Sequence, residues 1–226
     1  MSALVFDRHA IPITVSGVAQ FEKAVLADNP AAYYPMNDAS GLPQDASGNG
    51  RHMTAVSGSP TYAQPGPIGE NSISYPSAAF HERAVFSTAI NNMTIEMWVY
   101  RVGNASSDIV RQGTTSGGFE IEYTATSGAF RPNLPGVGTL GGIGTIAAST
   151  WTHIALQRAA GTWQSFINGI YTGTPGSAAP GTPVGNFRIL GAGATEHRFC
   201  HIAFFDTALS VQRIAYHYLS LIGSPA

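Results

Sequence analysis

Charged residues are scarce in this 226-residue sequence, where Asp, Glu, Lys and Arg together make up 11% of the chain. An average globular domain has about 25%. The formal net charge is only −2, so the chain has no strong electrostatic attraction for nucleic acid or for an anionic membrane surface. We therefore expect no nucleic acid among its partners.

Cysteine and long apolar runs are also rare. A single cysteine, Cys200, excludes an intrachain disulfide, so folding does not depend on an oxidising compartment. Its apolar surroundings favour a buried, unreactive thiol over a nucleophile. No run approaches the roughly 20 apolar residues of a membrane helix. Asp7, Arg8, His9 and Pro12 interrupt the stretch where a signal peptide would need its apolar core, and we expect no membrane insertion.

Glycine and proline, by contrast, are plentiful, with 26 and 14 copies, and 44% of the residues are hydrophobic. A chain of this length can bury a sizeable core, as one large β domain or as two small ones. Abundant turn residues and few charges are typical of an all-β protein with many loops. We favour a single large β domain.

The clearest local signal lies between residues 151 and 173. Residues 151–158 form two alternating sets, which a β-strand places on opposite faces. A turn at 159–161 and a second run at 163–167 follow, and Asn168-Gly169 then separates this run from a third. Asn-Gly between two such runs is typical of a type I′ hairpin turn. The segment is predicted to form three consecutive antiparallel strands at the centre of a sheet.

A second long strand is predicted at residues 93–99, where bulky side chains occupy both alternating sets. Such a strand should lie in the middle of a sheet within a two-layer sandwich. We expect the core to contain mainly apolar side chains of three strands: Ile95, Met97, Ile154, Leu156, Ile202 and Phe204.

Two short helices are expected to flank the strands. Apolar residues recur at helical spacing over residues 18–25, and Pro30 ends this helix. Near the other end of the chain, Ser210 is a suitable N-cap for a helix with Val211, Ile214, Ala215 and Tyr218 on one face.

Six segments in a fixed order resemble the laminin G-like branch of the concanavalin A-like jelly rolls. They are YYPMND at 33–38, DASGNG at 45–50, MTIEMWV at 93–99, WTHIA at 151–155, FING at 166–169 and FFDTALS at 204–210. VLADNP at 25–30, HIA at 201–203 and YHY at 216–218 are more narrowly similar to copies of this module in structural proteins of tailed bacteriophages. The resemblance covers residues 25–219.

This resemblance implies a two-sheet antiparallel jelly-roll sandwich with a concave face and a rim of loops. We expect the chain to have two parts: residues 1–30 as an N-terminal arm and short helix that anchor the protein, and residues 31–226 as the jelly-roll domain with its C-terminal helix. Many family members carry an acidic residue just before the last strand's apolar run. Here Cys200 and His201 occupy that place, which weakens any transfer of a sugar or metal site.

The segment 45–50 is rich in Asp, Ser, Asn and Gly, which favour tight turns and can also supply oxygen ligands to Ca²⁺. Asp38, Asp45 and Asn49 are therefore the candidate calcium ligands, and we expect them to lie close together at the loop rim. A turn stabilised by side-chain capping is the alternative, because Ca²⁺ requires six to eight oxygens.

Catalytic candidates are few. Glu120 and Glu122 place two carboxylates on one face of a strand, as glycosidases do. The glucanase relatives of this fold have a third acidic residue on that face, whereas Tyr123, Thr124 and Ala125 follow here. A solvated strand face is therefore favoured, and we expect no enzyme activity. The histidines are not spaced as metal ligands. His153 resembles a structural position of the family, and His201 and His217 are expected to satisfy hydrogen bonds rather than bind metal.

The N-terminal arm has alternating apolar residues around Pro12, a pattern that suits strand addition to, or apolar packing on, a neighbouring subunit. Contacts with sister copies in a homo-oligomer, or with a capsid or tail protein, are expected from Leu4, Phe6, Ile11, Ile13, Val15 and Phe21.

Two functions of different classes remain. The first is a non-catalytic virion structural protein, a capsid decoration or tail-associated subunit that displays a lectin-like jelly roll on the particle surface. The second is a free carbohydrate-binding module that adheres to cell-surface glycans. A near-complete module starting at Met1, without a secretion signal or an attached catalytic domain, favours the first, assembled in a host cytoplasm and located on the virion surface.

Overall fold

The computed structural model describes residues 17–87, 91–104, 106–113, 117–125, 127–191 and 196–223. Within these residues the chain forms two antiparallel β-sheets and two α-helices. The two-sheet sandwich predicted from the sequence is confirmed, and so are the short helices at its two ends.

The first sheet holds the long strands predicted from the sequence. In chain order its members are β1 (Ala32–Tyr34), β3 (Thr61–Pro65), β4 (Asn71–Tyr75), β6 (Met93–Arg101), β11 (Trp151–Ala159), β12 (Thr162–Ile167), β13 (Ile170–Gly176) and β15 (His197–Phe205). Their order across the sheet is β13-β12-β11-β6-β15-β4-β3, with β1 also paired to β15.

The second sheet consists of β2 (Ala55–Ser57), β5 (Ala79–Ala84), β7 (Ser107–Gln112), β8 (Phe119–Tyr123), β9 (Phe130–Leu134), β10 (Gly138–Thr139) and β14 (Asn186–Gly191). Their order across the sheet is β10-β9-β8-β7-β14-β5-β2. Both sheets mix strands that are distant in the sequence, as expected for a jelly roll.

The three strands predicted between residues 151 and 173 are present as β11, β12 and β13. Asn168 and Gly169 have φ angles of 50° and 74°, the positive values that a type I′ turn requires. Their predicted place at the centre of the sheet is wrong, because β13 is an edge strand and β6 is the middle strand. Local alternation reveals a strand but not its neighbours in the sheet, which depend on distant parts of the chain.

The main core lies between the sheets. All six side chains predicted to be buried are at most 1% exposed: Ile95, Met97, Ile154, Leu156, Ile202 and Phe204. β6 is buried along nearly its whole length, because its inner face meets the second sheet and its outer face is covered by the helices.

The helices α1 (Gly17–Ala27) and α2 (Val211–Ile222) pack against the outer face of the first sheet. Ser210 caps α2 as predicted, since its Oγ accepts a hydrogen bond from the backbone N–H of Arg213. The predicted buried face is partly wrong, because Val211 in the first turn is exposed and His217 is buried. Neither described helix is long and apolar enough to cross a membrane.

Phe21 was expected to contact another chain. It is instead fully buried beneath α1, where its ring lies 4.8 Å from that of His201. The other five predicted interface residues, Leu4, Phe6, Ile11, Ile13 and Val15, lie outside the described residues, as does the whole arm at residues 2–15. Their role stays a prediction.

Candidate functional site

The outer face of the second sheet carries a continuous row of polar side chains. Strand alternation turns apolar residues such as Ile121 and Ile189 into the core, so that their neighbours point outward. Cross-strand pairing then aligns five of these outward residues on consecutive strands, followed by Thr139 on the edge strand. We call this set the polar row: Glu82, Arg188, Arg111, Glu120, Asn133 and Thr139.

One half of the polar row is organised around Glu82. Its Oε2 accepts hydrogen bonds from Arg188 Nε at 2.7 Å and from Asn186 Nδ2 at 2.9 Å. Burial raises the pKa of Glu82, but these hydrogen bonds and the Arg188 charge outweigh it and leave the pKa below its usual range. The Arg188 guanidinium also lies 4.5 Å from the centre of the Phe80 ring. Arg188 is thus held between a carboxylate and an aromatic face.

The other half is organised around Glu120. Arg111 Nε lies 2.5 Å from Glu120 Oε1, and Asn133 Nδ2 donates to Glu120 Oε2 at 2.9 Å. Thr139 in turn donates its hydroxyl proton to Asn133 Oδ1 at 3.2 Å. Burial raises the pKa of Glu120, and the nearby Arg111 charge only partly offsets this effect. These hydrogen bonds fix the direction of each polar group.

A cleft adjoins this half of the row. It has a volume of about 450 Å³ and is lined by Glu120, Asn133 and residues 134–138, a size within the usual range for small-ligand sites. Gly136 and Gly138 have φ angles of 80° and 122°, which bend the loop into the cleft wall. Val137 is 55% exposed at its mouth. The cleft therefore combines a carboxylate, an amide and an apolar edge.

Glu122 lies on the same face as Glu120, as the sequence predicted. Its Oε1 accepts a hydrogen bond from Arg131 Nε at 2.7 Å. Both carboxylates are therefore engaged with arginine side chains, whereas a glycosidase needs one of its two carboxyl groups as a proton donor. This arrangement fits the interpretation that the face has no hydrolytic role.

The candidate calcium loop contains Asp45 and Asn49, which are linked through Ser47. Asp45 Oδ1 accepts hydrogen bonds from the backbone N–H of Tyr33 and of Ser47, both at 2.9 Å. Its Oδ2 accepts from the backbone N–H of Arg51 at 2.8 Å. Burial raises the pKa of Asp45, but these N–H donors outweigh it and lower the pKa. Asp45 thus acts as the cap of a turn.

Asn49 and Asp38 point to other partners. Asn49 Nδ2 donates to the carbonyl oxygens of Pro30 and Ala31, each at 3.1 Å. Burial raises the pKa of Asp38, which accepts hydrogen bonds from its own backbone N–H and from that of Gln44. No group of three or more His, Cys, Asp or Glu in the described part of the chain is arranged to hold a metal ion.

Calcium binding by Asp38, Asp45 and Asn49 stays a prediction with a simple test. A bound ion would stabilise the folded state by mass action. If the ion binds, the unfolding temperature in millimolar calcium should exceed that in EDTA, and Asp45→Asn should abolish the difference. Equal unfolding temperatures in the two buffers would support the turn interpretation instead.

Sequence reasoning missed most of the polar row. It identified Glu120 and Glu122, but not Arg111, Asn133 or Arg188. The alternation of polar and apolar residues along β8 and β9 was a usable signal for the outward direction of these side chains. The register between strands could not be read from the sequence, because a bulge between Asp108 and Val110 shifts β7 against β8.

The family comparison agrees with the fold. The profile of the concanavalin A-like lectin/glucanases superfamily matches residues 73–215, which include β6, β11 and the whole polar row. No curated protein sequence matches the chain.

Several solved structures have a similar fold. The binding domain of Paraclostridial Mosquitocidal Protein 1 is 15% identical with a TM-score of 0.69, over 88% of this chain and 54% of that one. The binding domain of Botulinum neurotoxin DC, solved in complex with rat synaptotagmin II, is 14% identical with a TM-score of 0.70, over 87% and 52%. A third structure is of botulinum neurotoxin type C, a toxin whose cell entry is described as dependent upon interaction with two ganglioside molecules. It is 12% identical with a TM-score of 0.71, over 88% of this chain and 53% of that one. This chain thus spans about half the length of these structures, and the likeness concerns the fold alone.

Proposed function

From the premise that this chain belongs to the concanavalin A-like lectin/glucanases superfamily, we propose that it is a non-catalytic, lectin-like module. Its glycan-binding surface is the polar row together with the adjoining cleft. The observation that carries the proposal is the pair of hydrogen bonds that hold Glu120 and Asn133 in fixed directions at the cleft. The fold is shared with binding domains of clostridial toxins, which supports a binding role.

The chemistry of the row suits sugar hydroxyl groups. A hydroxyl both donates and accepts a hydrogen bond, so its site needs an acceptor and a donor close together. Glu120 supplies acceptor oxygens, and the Asn133 amide supplies both kinds of group. Because Arg111 and Thr139 already orient these side chains, little conformational entropy is lost when a sugar binds. The exposed Val137 offers an apolar contact for a sugar C–H face.

The proposal excludes hydrolysis by the same groups. A general acid must hold a proton that it can give to the leaving oxygen. Glu120 accepts from Arg111 and Asn133, and Glu122 accepts from Arg131, so both carboxyl groups act here as hydrogen-bond acceptors rather than as proton donors.

A glycan array followed by calorimetry tests this function. Loss of a hydrogen bond to a charged group costs about 1.5–3 kcal/mol, so Glu120→Gln and Asn133→Ala should each weaken binding of a glycan hit by about 10-fold to 100-fold. Glu196→Gln is the matched control, because Glu196 pairs with Arg198 away from the row. Unchanged affinity in both row variants, or no glycan bound by the wild type, would refute the proposal.

We further propose that the module is displayed on a phage virion, as a capsid decoration or tail subunit assembled in the host cytoplasm. The ordered motifs similar to phage structural proteins support this location. In addition, Gly17 at the start of α1 lies against Ile68 and the Leu221 carbonyl, and Ile68 is 44% exposed. Gly17, the first residue of α1, therefore lies beside an apolar side chain that a capsid or tail protein, or a sister copy, could cover.

Deletion of residues 2–15 tests the virion role. The truncated protein should keep the circular dichroism and unfolding temperature of the full chain but fail to incorporate into particles, since the predicted anchor is gone. Normal copy number in particles would place the anchor elsewhere, and absence of the full-length protein from particles would contradict the virion role itself.

A further inference from the structure

A layer of buried titratable side chains lies between the first sheet and the two helices. Glu96 on β6, His153 on β11, His201 on β15 and His217 on α2 are each at most 1% exposed. Sequence reasoning treated the three histidines separately because they are far apart in the chain. The sheet pairing and the packing of α2 bring two of them, His153 and His217, onto the single carboxylate of Glu96.

His217 connects the sheet to both helices. Its Nδ1 lies 2.7 Å from Glu96 Oε1, and its Nε2 lies 3.0 Å from Asp28 Oδ2, directly after α1. Arg213 of α2 extends the chain of contacts, with its Nε 2.7 Å from Asp28 Oδ2 and its Nη2 3.1 Å from the Ala24 carbonyl oxygen. We call the series Glu96–His217–Asp28 the relay.

The groups around the relay come from every element packed against it. His153 Nε2 of β11 lies 3.5 Å from Glu96 Oε2. On the side of α1 and β15, the rings of Phe21 and Phe205 lie 6.3 and 6.1 Å from that of His217. The charged or titratable groups that face His217 are therefore Glu96, Asp28, Arg213 and, through Glu96, His153. Tyr33 of β1 also lies within the electrostatic reach of Glu96.

A buried carboxylate is strongly destabilising unless a positive charge compensates it. Glu96 has no water-exposed surface, and the relay provides its nearest cation when His217 is protonated. If His217 becomes neutral, the Glu96 charge remains and loses that partner. The free-energy cost of burying this unpaired carboxylate then destabilises the contact between the sheet and the helices, because the carboxylate lies within that contact.

We propose that the relay is a pH-sensitive latch, which holds α1 and α2 on the sheet while His217 is protonated and releases them together when it is neutral. The two helices also contact each other, so they should leave as one unit. Release of the helices would uncover the apolar cluster on the outer face of the first sheet, whereas the core between the sheets would stay buried.

The direction of the pH effect follows from the two partners. Burial lowers the pKa of His217, but the negative charge of Glu96 outweighs it and raises the pKa above 6.5. The stabilisation from His217 is therefore fully present below pH 6.5 and is lost as the pH rises through the folded-state pKa. Burial raises the pKa of Glu96, but His217 and His153 outweigh it and lower the pKa to about 2. Its contribution is present above pH 4.5 and is lost as the pH falls toward 2.

Hydrogen exchange of the full chain, corrected for the intrinsic rate at each pH, tests the latch. Between pH 6 and pH 9, protection of residues 17–27 and 211–222 should fall about 10-fold or more, while β6 and β11 change far less. His217→Gln should show low helix protection at pH 6 and little change up to pH 9. Glu96→Gln should lower the pKa of His217 measured by NMR.

His197→Gln is the matched control, because this buried histidine lies between the sheets and not beneath the helices. It should keep the pH dependence of helix protection. Equal protection of both helices at pH 6 and pH 9 in the wild type would overturn the proposal. The proposal would also be overturned if the His217→Gln variant lost hydrogen-exchange protection evenly over helices and strands.

Discussion

Replacing Ile154 by alanine is expected to lower the free energy of unfolding by about 2–5 kcal/mol, the usual range for removing a large aliphatic side chain from a core. Ile154 is 1% exposed on β11, where it faces Met97 of β6 and Ile167 of β12 across the sheet. The second sheet covers it, so the surroundings have little freedom to close the cavity. Chemical denaturation followed by circular dichroism measures the change.

Ile170→Ala provides the matched control in the same sheet. Ile170 is 69% exposed on the edge strand β13, so the identical chemical change should shift the free energy of unfolding by about 0.5 kcal/mol or less. A similar decrease in the free energy of unfolding in both variants would show that burial does not determine the effect of truncating a side chain in this sheet. An unchanged Ile154→Ala variant would mean that the register assigned to β11 is wrong.

The elements that the sequence predicts well are those whose evidence is local. The alternation along β11 and β12 and the Asn168-Gly169 turn depend on neighbouring residues, and each is present in the structure. The same holds for Ser210 as the cap of α2. The burial of β6 on both faces was also readable, because bulky residues occupy both of its alternating sets.

What the sequence could not reveal depends on contacts between distant residues. Glu96 sits in a strand that is buried on both faces, so a buried charge was foreseeable, but its partner His217 is 121 positions away. Likewise, Arg188 meets Arg111 only because β14 pairs with β7. The polar row and the relay are therefore products of strand order and helix packing, neither of which leaves a local pattern.

Two further buried histidines are expected to make the sandwich sensitive to acid. His81 receives a hydrogen bond on Nδ1 from the Tyr75 hydroxyl at 2.6 Å, and its Nε2 lies 3.1 Å from the Tyr62 oxygen. The Tyr62 hydroxyl donates its own hydrogen bond to the Gly41 carbonyl oxygen. This network needs a neutral imidazole with its proton on Nε2, since a second proton would leave the Tyr75 hydroxyl without an acceptor. Burial accordingly lowers the pKa of His81 to about 4.

His197 is in a comparable position. It is fully buried, and its Nδ1 lies 2.9 Å from the Tyr123 hydroxyl oxygen. Burial, together with the positive charge of Arg101, lowers its pKa to about 4. Arg101 is held close by, with its guanidinium 5.2 Å from the centre of the Tyr123 ring. Protonation of His197 would place two positive charges near each other in a region with little water.

The free energy of unfolding should therefore fall as the pH decreases from 6.5 toward 4. In this range the unfolded chain takes up protons at positions 81 and 197 while the folded chain does not. Each pKa unit between the two states corresponds to about 1.4 kcal/mol, so each histidine should remove about 2–3 kcal/mol by pH 4.5. Urea denaturation at pH 7 and at pH 4.5 measures the sum. As the pH falls, the gain in stability from His217 is confined to pH values above 6.5 and the loss from Glu96 to values below about 4.5, so both effects act at the ends of this range rather than within it.

Substitution separates the two contributions. His81→Gln and His197→Gln lower stability at pH 7 by disturbing their hydrogen bonds, but each should reduce the further loss between pH 7 and pH 4.5 by about 2–3 kcal/mol, because glutamine does not titrate. His52→Gln, at an exposed position, controls for the substitution itself. If both buried-site variants lost as much stability in acid as the wild type, the protons taken up on unfolding would have to bind elsewhere in the chain. A sandwich with both histidines replaced should instead unfold at nearly the same urea concentration at the two pH values, apart from the loss caused by its carboxylates.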